Sequence, residues 1–302
     1  MMQMRRLVGV AAVVAAATVA GSGGTARSES DAARAAGSPA GVIAYHCGVR
    51  LCVARVNGTG KRRLLGAAQP SPQWDPAFSP DGRMVAFRGY FEPPKGDYAL
   101  YVIGTNGCGL RRLTPGATDP SWSPDGQWIV FDTSGSGVIW KVHPDGSGLT
   151  RLVGRVGTSL DEMPAWSPDG KTIAFVKNGQ LWLMNADGTG ARLLHAGLGE
   201  TDQTPVWSHD GTKLAFATIG PRTSIQVIDA DGSQVRTLVQ GDRRVANPAW
   251  LPQDAGIAYL RATSPTTSRI YSVRLNGTGT HRLAVPATDQ FASSTARLPP
   301  RC

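Results

Sequence analysis

Ala165-Trp166-Ser167-Pro168-Asp169-Gly170 decides how this chain is read, because it recurs. Phe78-Ser79-Pro80-Asp81-Gly82, Trp122-Ser123-Pro124-Asp125-Gly126 and Val206-Trp207-Ser208-His209-Asp210-Gly211 are close copies, and Trp250-Leu251-Pro252-Gln253-Asp254 is a worn one. The serine position steps from 79 to 123, 167, 208 and 251, at intervals of 44, 44, 41 and 43 residues. In each copy the proline fixes φ, the aspartate bonds its own backbone and the glycine takes the positive φ of a tight turn. A period in the low forties, with one tight turn and one aromatic per unit, marks the blade of a β-propeller.

Working outward, eight residues beyond each serine position stand Phe87, Phe131, Phe175, Phe216 and Tyr259, each inside an apolar run. A constant offset is a register, and register is what a buried strand demands. A second turn follows a further strand: Asn57-Gly58, Asn106-Gly107, Asp145-Gly146, Asp187-Gly188, Asp231-Gly232 and Asn276-Gly277. Asn-Gly and Asp-Gly are strong hairpin signals. Each unit thus reads as four strands, A to D, with the serine turn between A and B. Val42-Ile43-Ala44-Tyr45 is a B strand with no A strand before it, whereas Thr288 to Ser293 aligns with Thr118 to Ser123. The expectation is all-β: a six-bladed β-propeller of four-stranded antiparallel blades, closed by a C-terminal strand joining the first blade. The blades span 290–295 with 42–65, then 75–114, 119–153, 163–195, 204–239 and 247–284.

The set of Trp-Ser-Pro-Asp-Gly turn, Phe eight residues on and Asp-Gly-Thr-Gly turn resembles the WD40-like propeller repeats of the TolB type. The resemblance covers residues 42 to about 296. It implies the propeller fold. TolB itself also carries an N-terminal α/β domain, for which residues 1–41 leave no room, so a stand-alone propeller is expected and a Tol-system role is not carried over.

Met1 to Arg6 is short and basic, and the fourteen residues Leu7 to Ala20 are apolar and uncharged. A membrane span needs about twenty. Residues 1–26 are therefore expected to be a secretory signal peptide, cleaved near 20 or 26, with a flexible Gly/Ser/Ala-rich linker over 27–41 and the propeller over 42–302. A secreted location follows, extracellular or in the cell envelope, with no transmembrane segment after signal removal. The four cysteines, Cys47, Cys52, Cys108 and Cys302, allow three pairings in such a compartment. Cys47 and Cys52 flank the first B–C hairpin, while Cys108 and Cys302 fall toward one face. Cys47–Cys52 and Cys108–Cys302 are the expected pairs.

The formal charge is +9. Lys61, Arg62, Arg63, Arg111, Arg112, Arg151, Arg192, Arg236 and Arg282 lie on D strands, spread around the outer rim. Charged edges block strand-to-strand aggregation. Nucleic acid is not an expected partner, since no aromatic stacking platform accompanies them.

Asp75, Asp119, Asp161 with Glu162, Asp202, Asn247 and Asp289 sit just upstream of the A strands, which line the central channel of a propeller. One carboxylate or amide per blade would converge at a channel mouth and attract a cation, a basic peptide or a partner's Lys or Arg. The plainer reading is that Asp-Pro and Asn-Pro order the turn into strand A. The loop from Arg88 to Tyr98 holds Tyr90 and Phe91 among prolines on the same face and offers contact area. The histidines are dispersed, glutamate is scarce, and there is no Gly-x-Ser-x-Gly elbow or phosphate-binding loop. No catalytic residue, metal site or cofactor is expected. The sequence points to a monomeric, non-catalytic binding module or envelope scaffold for an unknown protein, peptide or glycan. The alternative is an extracellular lyase or hydrolase using the central funnel.

Overall fold

The computed structural model describes residues 42–46, 50–55, 59–66, 73–90, 98–133, 136–154, 161–196, 205–218, 222–241, 244–264, 267–282 and 291–294. The protein is an all-β propeller of four-stranded antiparallel blades. The described strands form six such sheets, each ordered A to D in sequence except the first. There, Phe291–Ser294 pairs antiparallel with Val42–His46, which continues to Leu51–Arg55 and Arg62–Arg63. The C-terminal strand thus completes the sheet begun at the other end of the chain.

Successive A strands pack side by side: Phe291–Ser294 against Gln73–Phe78, then Ala117–Trp122, Asp161–Trp166, Val206–Trp207 and Val245–Trp250. The apolar core lies between blades. Leu51, Val53 and Leu64 meet Val85, Phe87 and Ile103 of the next blade. Val130 and Ile139 meet Ile173, Phe175 and Met184. The five aromatics of the B-strand register are all essentially inaccessible, at 0 or 1% exposure. They occupy the layer that apposed blades share, where each is worth about 1.5–3 kcal/mol of burial.

The recurring turn is a self-contained hydrogen-bonded unit. Ser167 Oγ donates to Asp169 Oδ1 at 2.6 Å, and the same Asp oxygen accepts from Lys171 N at 3.0 Å. Ser167 Oγ in turn accepts from Thr172 N at 3.0 Å. Gly170 has φ 73°, and a Cβ there would lie 3.2 Å from Pro124 of the neighbouring turn. Both its torsion and its neighbour favour glycine. The C–D turns lean on the A–B turns of their own blades: Thr105 N donates to Arg83 O, Ala186 N to Lys171 O and Ala230 N to Thr212 O. Both turn types therefore occupy one face, which leaves the B–C and D–A connections on the other.

The tryptophan before the serine has a second task. Trp122 Nε1 donates to Ala77 O at 3.0 Å, Trp207 Nε1 to Ala165 O at 3.1 Å and Trp250 Nε1 to Val206 O at 3.0 Å. Each indole reaches the A strand of the preceding blade. Trp166 differs, bonding Gly170 O of its own turn while its backbone N–H meets Ser121 Oγ. Some rim cations also join blades: Arg62 Nη2 donates to Thr105 O at 2.7 Å and Lys141 Nζ to Ala186 O at 3.2 Å.

Candidate functional site

The described channel-mouth residues do not stand upstream of the A strands but inside them. Asp75 lies in Gln73–Phe78, Asp119 in Ala117–Trp122, Asp161 and Glu162 in Asp161–Trp166, and Asn247 in Val245–Trp250. Each of these strands breaks register at this point. Asp75, Asp119, Met163 and Asn247 precede a proline and hold φ of 54°, 50°, 57° and 51°. They share one bulge position. Asp and Asn tolerate the left-handed region better than most residues, so the bulge itself explains part of the recurrence. In the fourth blade the bulge residue is Met163, and Asp161 stands two positions earlier. The expected single ring of equivalent positions is therefore broken in register at that blade. Asp202, Asp289 and Phe91 lie outside the described residues.

Asp75, Asp119, Asp161 and Asn247 are all buried. Two carboxylates are held by cations of the adjacent B strand: Arg88 Nε lies 3.0 Å from Asp75 Oδ2 and Lys177 Nζ 3.5 Å from Asp161 Oδ1. Among the described residues the third blade has no such cation. Across from Thr118, where the second blade has Arg88 across from Trp74, stands Asp132. Asp132 is buried, accepts from Thr118 Oγ1 and takes the Met163 N–H of the next blade at 3.1 Å. Sequence reasoning missed this residue, and no repeat signal marks it.

Asp119 has an Oδ1 atom with no hydrogen-bond partner among the described residues. Burial, then repulsion from Asp132 and Asp75, raises its carboxyl well above the usual carboxylate range, against an opposing pull from Arg88. Burial pushes Asp132 up to about 7, with Thr118 and Met163 N–H opposing and Glu162 adding to the rise. The cluster is thus short of full ionisation at neutral pH and would ionise further beside an added positive charge. By contrast the turn aspartates are held below their ordinary value by hydrogen bonds: from Ser123 and Gln127 N in Asp125, and from Ser167 and Lys171 N in Asp169.

Tyr90 belongs to an aromatic group beside this cluster. Its ring lies 5.3 Å from Tyr98, which meets Trp74 edge-on at 5.6 Å. The Arg88 guanidinium sits 4.9 Å from the Trp74 centroid and 5.2 Å from that of Tyr98. The cation that holds Asp75 is itself fixed between rings. Among the described residues no group of three or more His, Cys, Asp or Glu is placed to hold a metal ion. Cys52 and Cys108 are disulfide-bonded. Cys47 and Cys302 lie outside the described residues.

Residues 48–254 match the TolB beta propeller domain, more than half of the 302-residue chain, and the chain belongs to that family. It is 44% identical over 64 residues to the uncharacterized peptidase YuxL of Bacillus subtilis, a match covering 20% of this chain and 9% of that protein. It is 34% identical over 98 residues to the uncharacterized protein Atu1656 of Agrobacterium fabrum, covering 31% of this chain and 32% of that one. The matches thus span less than a third of either relative. The crystal structure of TolB from Acinetobacter baumannii superposes with a TM-score of 0.66 at 20% identity, covering 85% of this chain and 67% of that one. That similarity shows the fold.

Proposed function

We propose that the chain is a secreted, non-catalytic propeller that binds a protein, peptide or glycan on the face of its B–C and D–A connections. The observation that carries this reading is the carboxylate group at the inner strands: Asp132 and Asp75 lie near enough to Asp119 to repel it, and the buried Asp119 Oδ1 has no partner among the described residues. A lysine or arginine side chain from a partner supplies the missing counter-charge. Tyr90 and Tyr98 add contact area beside it, and Asp202, Asp289 and Phe91 are proposed to act with them. In this reading the six sheets close into one ring, the sixth blade meeting the first. Of the disulfides Cys47–Cys52 and Cys108–Cys302 the second braces that closure, and the signal peptide directs the protein out of the cytoplasm to the envelope or beyond.

A propeller enzyme acting on extracellular polymers is the second reading. It is favoured by the Asp132 carboxyl at about 7, in the range where a general acid works near neutral pH.

Capture from the native envelope fraction tests the binding reading. Wild type is compared with the Asp119→Asn, Asp202→Asn double variant, both checked for folding by circular dichroism. A partner retained by wild type and lost by the variant is expected. Equal retention by both contradicts the site.

A further inference from the structure

Among the described residues the same face changes sign on the fifth and sixth blades. Arg261 on the strand Gly256–Ser264 stands directly across the ladder from Arg269 on Thr267–Arg274. They follow the stacked pair Tyr259–Tyr271, whose centroids are 6.1 Å apart, along one face of the sheet. Like charges directly opposite in an antiparallel pair are destabilising, so packing gives no reason for this pairing. The Arg261 guanidinium lies 5.7 Å from the Tyr271 centroid. Arg269 Nη1 donates to the carbonyl of its neighbour Ser268 at 2.9 Å. Neither arginine makes an ion pair with a described carboxylate.

Two further arginines lie close by in the chain path. Val245 N donates to Thr223 Oγ1 at 2.9 Å, bringing the backbone after Arg222 beside that after Arg244. Ala262 N donates to Arg244 O at 2.9 Å, bringing that segment beside Arg261. The described carboxylates of these two blades, Asp210, Asp229, Asp231 and Asp254, all lie at the opposite, turn end. The inner strands of the second to fourth blades carry aspartates, whereas the corresponding residue of the sixth is the neutral Asn247. Among the described residues the face is charge-polarised, with acid on one side and arginine on the other.

We propose that the Arg261–Arg269 corner is an anion-binding site that receives the carboxylates of an acidic peptide segment. The guanidinium fork matches a planar carboxylate with two parallel hydrogen bonds, and two forks side by side bracket neighbouring carboxylates. The choice of a peptide rests on the proposed docking of a partner on this face. A partner segment bearing both signs meets Asp119 with its cation and Arg261 with its anion, so its orientation is set by charge.

Calorimetric titration of the full chain with hexaglutamate, and separately with inorganic phosphate, tests this at low salt and at about 0.5 M NaCl, where the Debye length falls to a few ångströms. Wild type binds hexaglutamate at low salt and loses it at high salt. The Arg261→Gln, Arg269→Gln double variant binds at least tenfold more weakly, while Asp119→Asn binds within twofold of wild type. The double variant melts no lower than wild type, because a like-charge pair has been relieved. Equal binding by the double variant, or no binding by wild type, overturns the site. Phosphate binding without hexaglutamate binding overturns the peptide assignment. A lower melting temperature with unchanged binding marks the pair as structural and also overturns it. Since Asp119→Asn is read separately, failure here leaves the cation-binding reading intact, and the reverse also holds.

Discussion

At Asp119 the backbone and the side chain ask for different things. The bulge needs a residue that tolerates φ of 50° before a proline, and either Asp or Asn satisfies that. The buried carboxylate then adds a cost. Its folded-state value is raised by burial and by Asp132, so the folded chain holds a proton that the unfolded chain releases near pH 4. Stability from this source is fully present below about pH 4 and is lost as pH rises toward and through the raised folded-state value. The turn aspartates act oppositely: their lowered values give stability above about pH 4 that is lost in acid. Asp119→Asn keeps the bulge and removes the cost. Its melting temperature should exceed that of wild type by about 3 °C at pH 8 and by little at pH 5, as followed by calorimetry. A variant less stable than wild type at pH 8 would show that the carboxylate is needed for folding. The aspartates at 75 and 119 were legible as a repeated Asp-Pro. Asp132 was not, because in the strand before it the same place is Arg88 and only the pairing of strands brings it to Asp119.

The turn element was legible in nearly all its parts, since its serine, aspartate and glycine each answer a local need. The partner of the tryptophan was not. An indole in a repeat reads as apolar bulk, and its N–H bond to the preceding blade appears only once blades stand side by side. Trp207→Phe removes the indole donor to Ala165 O of the fourth blade, and the loss is about 0.5–1.5 kcal/mol by chemical denaturation. Trp166→Phe, whose bond stays within its own turn, should cost less. An equal cost for both would mean that ring volume, not the bond between blades, sets the residue. The worn turn at Trp250 shows the same economy. Asp254 stands at the glycine position with φ 54°, and its carboxylate accepts His209 N at 3.0 Å and Asp210 N at 3.2 Å from the neighbouring turn. What this turn lacks internally, it makes up by binding the next one.

Across the whole molecule the repeat period, the strand register and the pairing of Phe291–Ser294 with Val42–His46 followed from the chain itself, because turn chemistry and buried aromatics recur at fixed offsets. The charge layout did not follow. The sequence suggested one carboxylate or amide per blade; among the described residues the buried carboxylates lie on the second to fourth blades and Arg261 stands against Arg269 on the sixth, while Asp202 and Asp289 lie outside the described residues. Charge balance depends on which residues face each other across strands, and a linear repeat does not show that. The central claim is that the Asp119 cluster receives a positive group from a partner. Titration calorimetry with hexalysine at pH 7, run in two buffers of different ionisation heat, measures the protons released on binding. Wild type is expected to bind with proton release, and Asp119→Asn to bind more weakly with much less release. Binding of equal strength and equal proton release in both proteins, or no binding by wild type, would contradict it.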